Sequence, residues 1–153
     1  MVDIQKLKTL REKTGVSLSL CKKALEESNN NLEQAKKLLQ QWGAQVLTKK
    51  AGNATSEGAI FSYVHHNKKI AALVEIVCQT DFVSKNEEFQ KLGQEIAMQV
   101  ASIPAQNIEE LINQEYIRDP SKKITDLLNE AALKFGENIK ITRFLRWQLG
   151  AVL

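Results

Sequence analysis

The sequence has few of the residues that mark unusual classes of protein. It contains two prolines and seven glycines among 153 residues, which is too few for a collagen-like or low-complexity chain. No apolar run approaches the roughly 20 residues that a membrane-spanning helix needs. The first residues lack the apolar stretch of a secretory signal and include acidic residues, which transit peptides avoid. We therefore expect a globular protein that has no membrane segment and stays in the compartment where it is made.

The number of cysteines and the net charge are also low. The two cysteines, Cys21 and Cys78, lie far apart, and neither a CxxC motif nor a Cys/His pair at zinc-finger spacing is present. This usage favours a reducing, cytosol-like compartment and no metal site. The 21 basic residues are nearly balanced by 18 acidic ones, which leaves a net charge of +3. Such a small excess does not indicate direct binding of nucleic acid.

The usual signals of catalysis are missing. His65 and His66 are adjacent, so in a strand their side chains would point to opposite faces and could not chelate one metal. Neighbouring glutamates on a helix diverge by about 100° and do not share a site; they are Glu26, Glu27, Glu87, Glu88, Glu109 and Glu110. The sequence has no GxxxxGK or GxGxxG motif for binding a nucleotide. We expect no covalent chemistry and no cofactor.

Apolar residues spaced three and four apart predict three short helices in residues 1–43. Gly15 is expected to end the first helix, Ser17 to cap the second, and Asn31 to cap a third whose apolar stripe closes at Gly43. Because each stripe needs a partner, the helices are expected to pack on one another as a module. Residues 44–57 lose this periodicity, which is typical of a linker or a frayed helix.

Residues 58–153 show strand-like patterns mixed with helical ones. Two β-rich runs flank a turn at Asn67 and Lys68, and the second run is apolar on both faces, so it should be central or covered on both sides. A helix is expected from a capping box at Ser84 and Glu87 to about Ser102. A shorter helix over 108–118, a helix over 124–135 and a last strand follow. These patterns predict an α+β fold, in which a small antiparallel sheet carries helices on one face.

The segment Thr80, Asp81, Phe82, Val83 joins the buried second strand to the capped helix. In one interpretation it is a structural turn, with Asp81 bonded to local amides and Phe82 in the core. In the other, Phe82 and Asp81 form an exposed anchor for a protein partner. The residues alone leave both interpretations open.

Four collinear segments resemble successive signatures of the elongation factor Ts family. They are LREKTGVSLSLCKKALEES (10–28), KKAGNATSEG (49–58), CQTDFVSKNEEF (78–89) and FGENIKITRFLRW (135–147). The resemblance implies a protein that binds elongation factor Tu and releases its GDP. It also implies a ubiquitin-associated-like three-helix fold for the N-terminal module and an α+β core domain for residues 58–153.

The resemblance further implies which residues contact elongation factor Tu. The segment Thr80–Val83 would insert into the nucleotide-binding domain, where the Phe82 ring wedges between helices and displaces groups that hold Mg²⁺ and phosphates. Arg11 and Leu18 would form a second contact on the N-terminal module. This chain has Leu18, Ser19 and Leu20 where the family commonly has Met-Met-Asp, so Leu18 preserves only the bulk of the matching residue.

Three further expectations concern partners and location. We expect a homodimer, because the core sheet unit is present in one copy and the last strand ends in exposed apolar residues that can pair. We expect a cytoplasm with bacterial-type translation or an organelle that has it. Two alternatives remain: a ubiquitin-associated-type adaptor without exchange activity, and an RNA-binding factor that uses Lys49, Lys50, Lys68, Lys69, Lys122, Lys123, Arg143 and Arg146.

Overall fold

The computed structural model describes residues 1–151. Its elements are α1 (Ile4–Thr14), α2 (Leu18–Glu27), α3 (Leu32–Lys50), β1 (Glu57–Val64), β2 (Ile70–Cys78), α4 (Asp81–Ser84), α5 (Glu87–Ser102), α6 (Ile108–Asn113), β3 (Glu115–Tyr116), β4 (Asp119–Lys123), α7 (Ile124–Phe135) and β5 (Lys140–Gln148). They form two compact units. One unit contains residues 1–52 and 128–138, and the other contains residues 53–127 and the chain from 139 onward.

The helical unit begins with three capped helices, as the sequence predicts. Ser17 and Asn31 cap α2 and α3 by accepting bonds from the amides of Leu20 and Gln34 at 3.4 and 3.1 Å. Gly15 ends α1 in the left-handed conformation, with φ of 69°. The predicted stripes form one core, in which the fully buried residues are Leu10, Val16, Cys21, Ala24, Leu25, Ala35 and Leu39. Burial raises the pKa of the Cys21 thiol, so this cysteine is a small neutral core residue.

The third helix is longer than predicted. Gly43 does not end α3, which continues to Lys50, so that prediction is wrong. A Cβ atom on Gly43 would lie 2.1 Å from the carbonyl oxygen of Asn129. Glycine is therefore required at this position because the backbone of residues 128–138 approaches α3 closely. The frayed-helix interpretation agrees with the helical state of residues 44–50.

The second unit contains a three-stranded antiparallel sheet in the order β1-β2-β5. The central position of β2 confirms the prediction made from its two apolar faces. One face of the sheet is buried through Phe61, Val74 and Ile76, and α5 packs against β1 and β2. The helices before the sheet and the helix on it confirm the α+β class.

A bulge interrupts the pairing of β2 with β5. Glu75 pairs with Arg143 and Ile76 pairs with Ile141, so Thr142 has no opposite residue. The alternation predicted for β5 therefore changes face at Thr142: Ile141 is buried, whereas Leu145 and Trp147 are exposed. Thr142 and Arg143 both bond the Glu75 carboxylate, at 2.6 and 3.2 Å. The Thr142 hydroxyl, and after it Arg143, lowers the pKa of Glu75.

The helix predicted over 108–118 is wrong beyond Asn113. Glu115 and Tyr116 instead form β3, which pairs with β4 across a short hairpin, and Pro120 lies within β4. The fully buried Gln99 explains this hairpin: its amide donates to the Glu115 carbonyl at 3.0 Å and accepts from the Ile117 amide at 3.0 Å. Burial and a hydrogen bond to Glu95 raise the pKa of Tyr116 in the same hairpin.

We predict that Gly43→Ala destabilises the helical unit. Alanine gains about 1 kcal/mol of helix propensity, but its methyl group would overlap the Asn129 carbonyl. Overpacking costs about 1 to 3 kcal/mol when neighbours can shift, and a backbone carbonyl shifts less easily than a side chain. Urea unfolding followed by circular dichroism should show a lower midpoint. Gly52→Ala is the matched control, because no atom lies within 4 Å of the added methyl; an equal loss in both variants would contradict the packing argument.

Candidate functional site

The junction between β2 and α5 contains a separate helical turn, α4. The turn begins at Asp81 and ends at Ser84, and α5 begins only at Glu87, where the Asn86 side chain accepts from the Glu88 amide at 2.8 Å. The predicted capping role of Ser84 is therefore wrong, because Asn86 has it. Ser84 is instead buried, and its hydroxyl donates to the Asp81 carbonyl at 3.3 Å. A separate helical turn therefore lies between β2 and α5.

Phe82 and Val83 lie on opposite sides of this turn. Val83 is 6% exposed and Phe82 is 87% exposed. Because α4 contacts β1 and β2, the turn directs Val83 toward the sheet. Val83 and Ser84 are both buried, and successive helical residues diverge by about 100°, so Phe82 lies on the side of α4 that faces away from these two residues. The interpretation that places Phe82 in the core is wrong, and the exposed-anchor interpretation agrees with the structure.

The acidic neighbour of Phe82 is accessible as well. The carboxylate of Asp81 lies 3.6 Å from the Lys85 ammonium, and the two side chains are 56% and 80% exposed. Exposed pairs of this kind contribute about 0 to 1 kcal/mol, so another cation or donor can replace Lys85 at little cost. Thr80 precedes the turn in an extended conformation, and its carbonyl accepts from the Ser84 amide at 3.2 Å. The predicted residues Thr80 to Val83 therefore form one continuous feature.

The other two predicted contact residues belong to the helical unit. Arg11 is exposed in the last turn of α1, and Leu18 is 49% exposed at the first position of α2. Of the residues that depart from the common family pattern, Ser19 is exposed, whereas Leu20 packs against the helical core. The change at Ser19 therefore alters the outer surface, and the change at Leu20 adds to the packing.

The two histidines lie closer together than expected. The rings of His65 and His66 are 4.2 Å apart between centroids, so the prediction that they point to opposite faces is wrong. The reason is that β1 ends at Val64 and both residues lie in the following turn. The Nδ1 atom of His65 lies 3.0 Å from the Tyr63 hydroxyl. Within residues 1–151, no cluster of three or more His, Cys, Asp or Glu side chains can hold a metal ion.

The face of the sheet opposite α5 is a second candidate surface, which we call the open face. Its exposed apolar side chains are Ile60, Val64, Leu73, Leu145 and Trp147. Leu73 pairs directly with Leu145, and Trp147 pairs with Ala71. Only part of this surface could be predicted from the sequence, namely the apolar residues on both faces of β2. The contribution of Leu145 and Trp147 depends on the bulge, which sequence alternation did not predict.

No helix among the described residues has the length and apolar character needed to cross a bilayer. The open face and the Phe82 turn both expose large apolar side chains of the sheet unit.

Comparison with known proteins gives matches along nearly the whole chain. Residues 79–152 match the family described as "Elongation factor TS", and residues 2–47 match "Elongation factor Ts, mitochondrial, N-terminal". Curated relatives named "Elongation factor Ts" include those of Nitratidesulfovibrio vulgaris, 38% identical over 98% of each chain, and Leptospira biflexa, 39% identical over 97% of this chain and 98% of the relative. The relative from Thermotoga maritima is 36% identical over 97% of this chain and 96% of its own.

The alignments with these relatives extend over 192 to 195 positions, which is longer than the 153 residues of this chain. The relatives therefore contain insertions that this chain lacks. Their shared name places them among the translation elongation factors, which act in protein biosynthesis. The agreement of identity, coverage and two family matches leads to one conclusion: this chain belongs to the elongation factor Ts family.

Proposed function

We propose that the chain is a guanine nucleotide exchange factor for elongation factor Tu. It binds the GDP-bound form and promotes release of GDP, so that GTP can bind again. The observation that carries this proposal is the exposure of Phe82 on a turn whose next residue is buried. An aromatic ring that is almost fully exposed on a rigid support is typical of a hot spot for a protein partner.

The proposed step is a wedge. The Phe82 ring enters between helices of the nucleotide-binding domain of elongation factor Tu, and Asp81 exchanges its weak pair with Lys85 for a partner group. Thr80 and Val83 hold the ends of the inserted segment. The wedge displaces groups that hold Mg²⁺ and phosphates, so the nucleotide loses non-covalent contacts while no covalent bond is made or broken. No residue of this chain acts as an acid, base or nucleophile, and the chain needs no cofactor of its own.

The Phe82 wedge can supply only a limited acceleration of GDP release, so a larger acceleration requires a second contact. Burying a phenylalanine side chain contributes about 1.5 to 3 kcal/mol, and each tenfold change in rate needs about 1.4 kcal/mol. Phe82 therefore accounts for about one to two decades of acceleration. We propose that the N-terminal helices, through Arg11 and Leu18, supply additional binding. The residues between the end of α3 and the start of β1 act as the linker, and the sheet unit is the exchange domain.

The direction of nucleotide exchange is set by coupled binding equilibria and not by a chemical step. If binding of this chain weakens the affinity of elongation factor Tu for GDP, GDP must weaken the binding of this chain by the same factor. An excess of GTP over GDP then drives the cycle toward the GTP-bound form. This function fits a cytoplasm or an organelle with bacterial-type translation.

We predict that Phe82→Ala slows stimulated GDP release about 10- to 100-fold, because the variant loses the wedge. Stopped-flow release of fluorescent GDP from elongation factor Tu measures this effect. The variant should keep its stability to within about 0.5 kcal/mol, since the side chain is exposed. Ile117→Ala, which removes another exposed apolar side chain from the same unit, is the control and should retain full activity.

The double variant Asp81→Ala, Phe82→Ala separates this proposal from the adaptor alternative. If it binds elongation factor Tu and still stimulates GDP release at the unmodified rate, the exposed turn is not the exchange element. If the unmodified chain binds but releases no GDP, the adaptor function is correct. Binding of RNA that weakens steeply with salt would instead favour the RNA-binding alternative.

We also propose that the chain forms a homodimer through the open face. Leu73, Leu145 and Trp147 lie on adjacent strands and remain exposed in one chain. Two such faces related by a two-fold axis would pack as a sandwich, in which each apolar face covers the other. The Glu75 and Arg143 pair at the edge of the patch supplies polar groups of both signs for the rim.

We predict that Trp147→Glu converts the dimer to a monomer, because it places one charge from each chain within the apolar surface of the proposed interface. Light scattering at tens of micromolar, a range suited to typical dimer affinities, measures the mass. Lys91→Glu changes an exposed charge on α5 and should leave the dimer intact. A monomer for the unmodified chain at that concentration would reject the homodimer.

A further inference from the structure

Side chains from outside α4 hold this turn at both ends. At its start, the Cys78 thiol donates to the Thr80 carbonyl at 3.3 Å. At its end, the side-chain amide of Gln90 donates to the Ser84 carbonyl at 2.6 Å. A helix of four residues has too few internal hydrogen bonds to be stable alone. The orientation of the turn, and therefore of Phe82, depends on these contacts and on the burial of Val83.

The contact made by Gln90 has a specific physical role. The last carbonyls of a helix have no partner within that helix, and the chain leaves α4 at Ser84 to begin α5 at Glu87. Gln90 lies in the first turn of α5, and its side chain reaches back to the preceding helix. It therefore satisfies a carbonyl that belongs to α4 and joins the short helix to the long one. Cys78 makes the corresponding contact from the end of β2.

We propose that Gln90 is a positioning residue for nucleotide exchange. By bonding the Ser84 carbonyl, it holds α4 in the one orientation in which Phe82 points away from the sheet. Preorganisation of this kind reduces the ordering that must accompany binding, so more of the contact energy is available for the wedge. The exposed pair of Asp81 and Lys85 is too weak to replace it. This inference depends on the proposed function of Phe82.

Gln90→Met tests the inference, because methionine has nearly the same length but no donor. We expect the maximal rate of GDP release from elongation factor Tu to fall about three- to tenfold, as for the loss of one hydrogen bond. The rate at saturating protein should fall more than the half-saturating concentration rises. Gln94→Met is the matched control, since Gln94 is an exposed glutamine one turn further along α5; its rate should change less than about twofold, as for surface substitutions.

A double-variant cycle distinguishes positioning from a general structural effect. In the Phe82→Ala background, Gln90→Met should cause no further loss, because the group that it positions is absent. Equal losses in both backgrounds would overturn the inference, and so would full activity of Gln90→Met alone. If Phe82→Ala itself had no effect, the proposed function would fail and this inference with it. A loss with Phe82→Ala but none with Gln90→Met rejects the inference alone.

Hydrogen exchange measures the same effect without elongation factor Tu. In Gln90→Met, the amides of residues 84–86 should exchange faster, while those in the centres of β2 and α5 keep their rates. Unchanged exchange in the turn would contradict the proposed role. Gln90→Lys restores a donor that reaches the same carbonyl, and this variant should recover most of the nucleotide-exchange activity.

Discussion

Burial of Val83 against the sheet is the constraint on which the proposed site depends. Val83 is almost fully buried together with Ser84, and the helical geometry of α4 then places Phe82 on the opposite side, facing solvent. Exposure of the Phe82 ring costs the folded chain little stability. Burial of the ring contributes free energy only when a binding partner covers it. The sheet, α5 and the bonds from Cys78 and Gln90 all fix the turn, so the fold presents one aromatic side chain in one orientation.

The central strand β2 also accounts for the second apolar surface of the sheet unit. The central strand β2 carries buried residues on one face and Leu73 on the other, so one face anchors α4 and α5 while the other remains open. A single strand therefore connects the two surfaces for which we propose partners. Any change that altered the register of β2 would affect both surfaces, because a shift of one residue exchanges the two faces.

Local patterns predicted most of the fold. The caps Ser17 and Asn31, the stop at Gly15 and the hairpin turn at Lys68 each follow from the chemistry of one residue, and the structure confirms them. The errors arose where distant residues decide the outcome. Gly43 lies inside a helix because Asn129 approaches it, and the β3–β4 hairpin forms because Gln99 supplies bonds that its own sequence does not. Whether Phe82 is exposed could not be predicted, since a phenylalanine beside a buried strand fits either side of the turn.

We propose that binding of this chain accelerates loss of GDP from elongation factor Tu. The most direct test follows release of fluorescent GDP from the GDP-bound factor in excess unlabelled nucleotide, at increasing concentrations of the unmodified chain. We expect a release rate that rises with concentration and then saturates, without consumption of any substrate. A rate that stays at its spontaneous value, at concentrations where binding of the two proteins is complete, would contradict it.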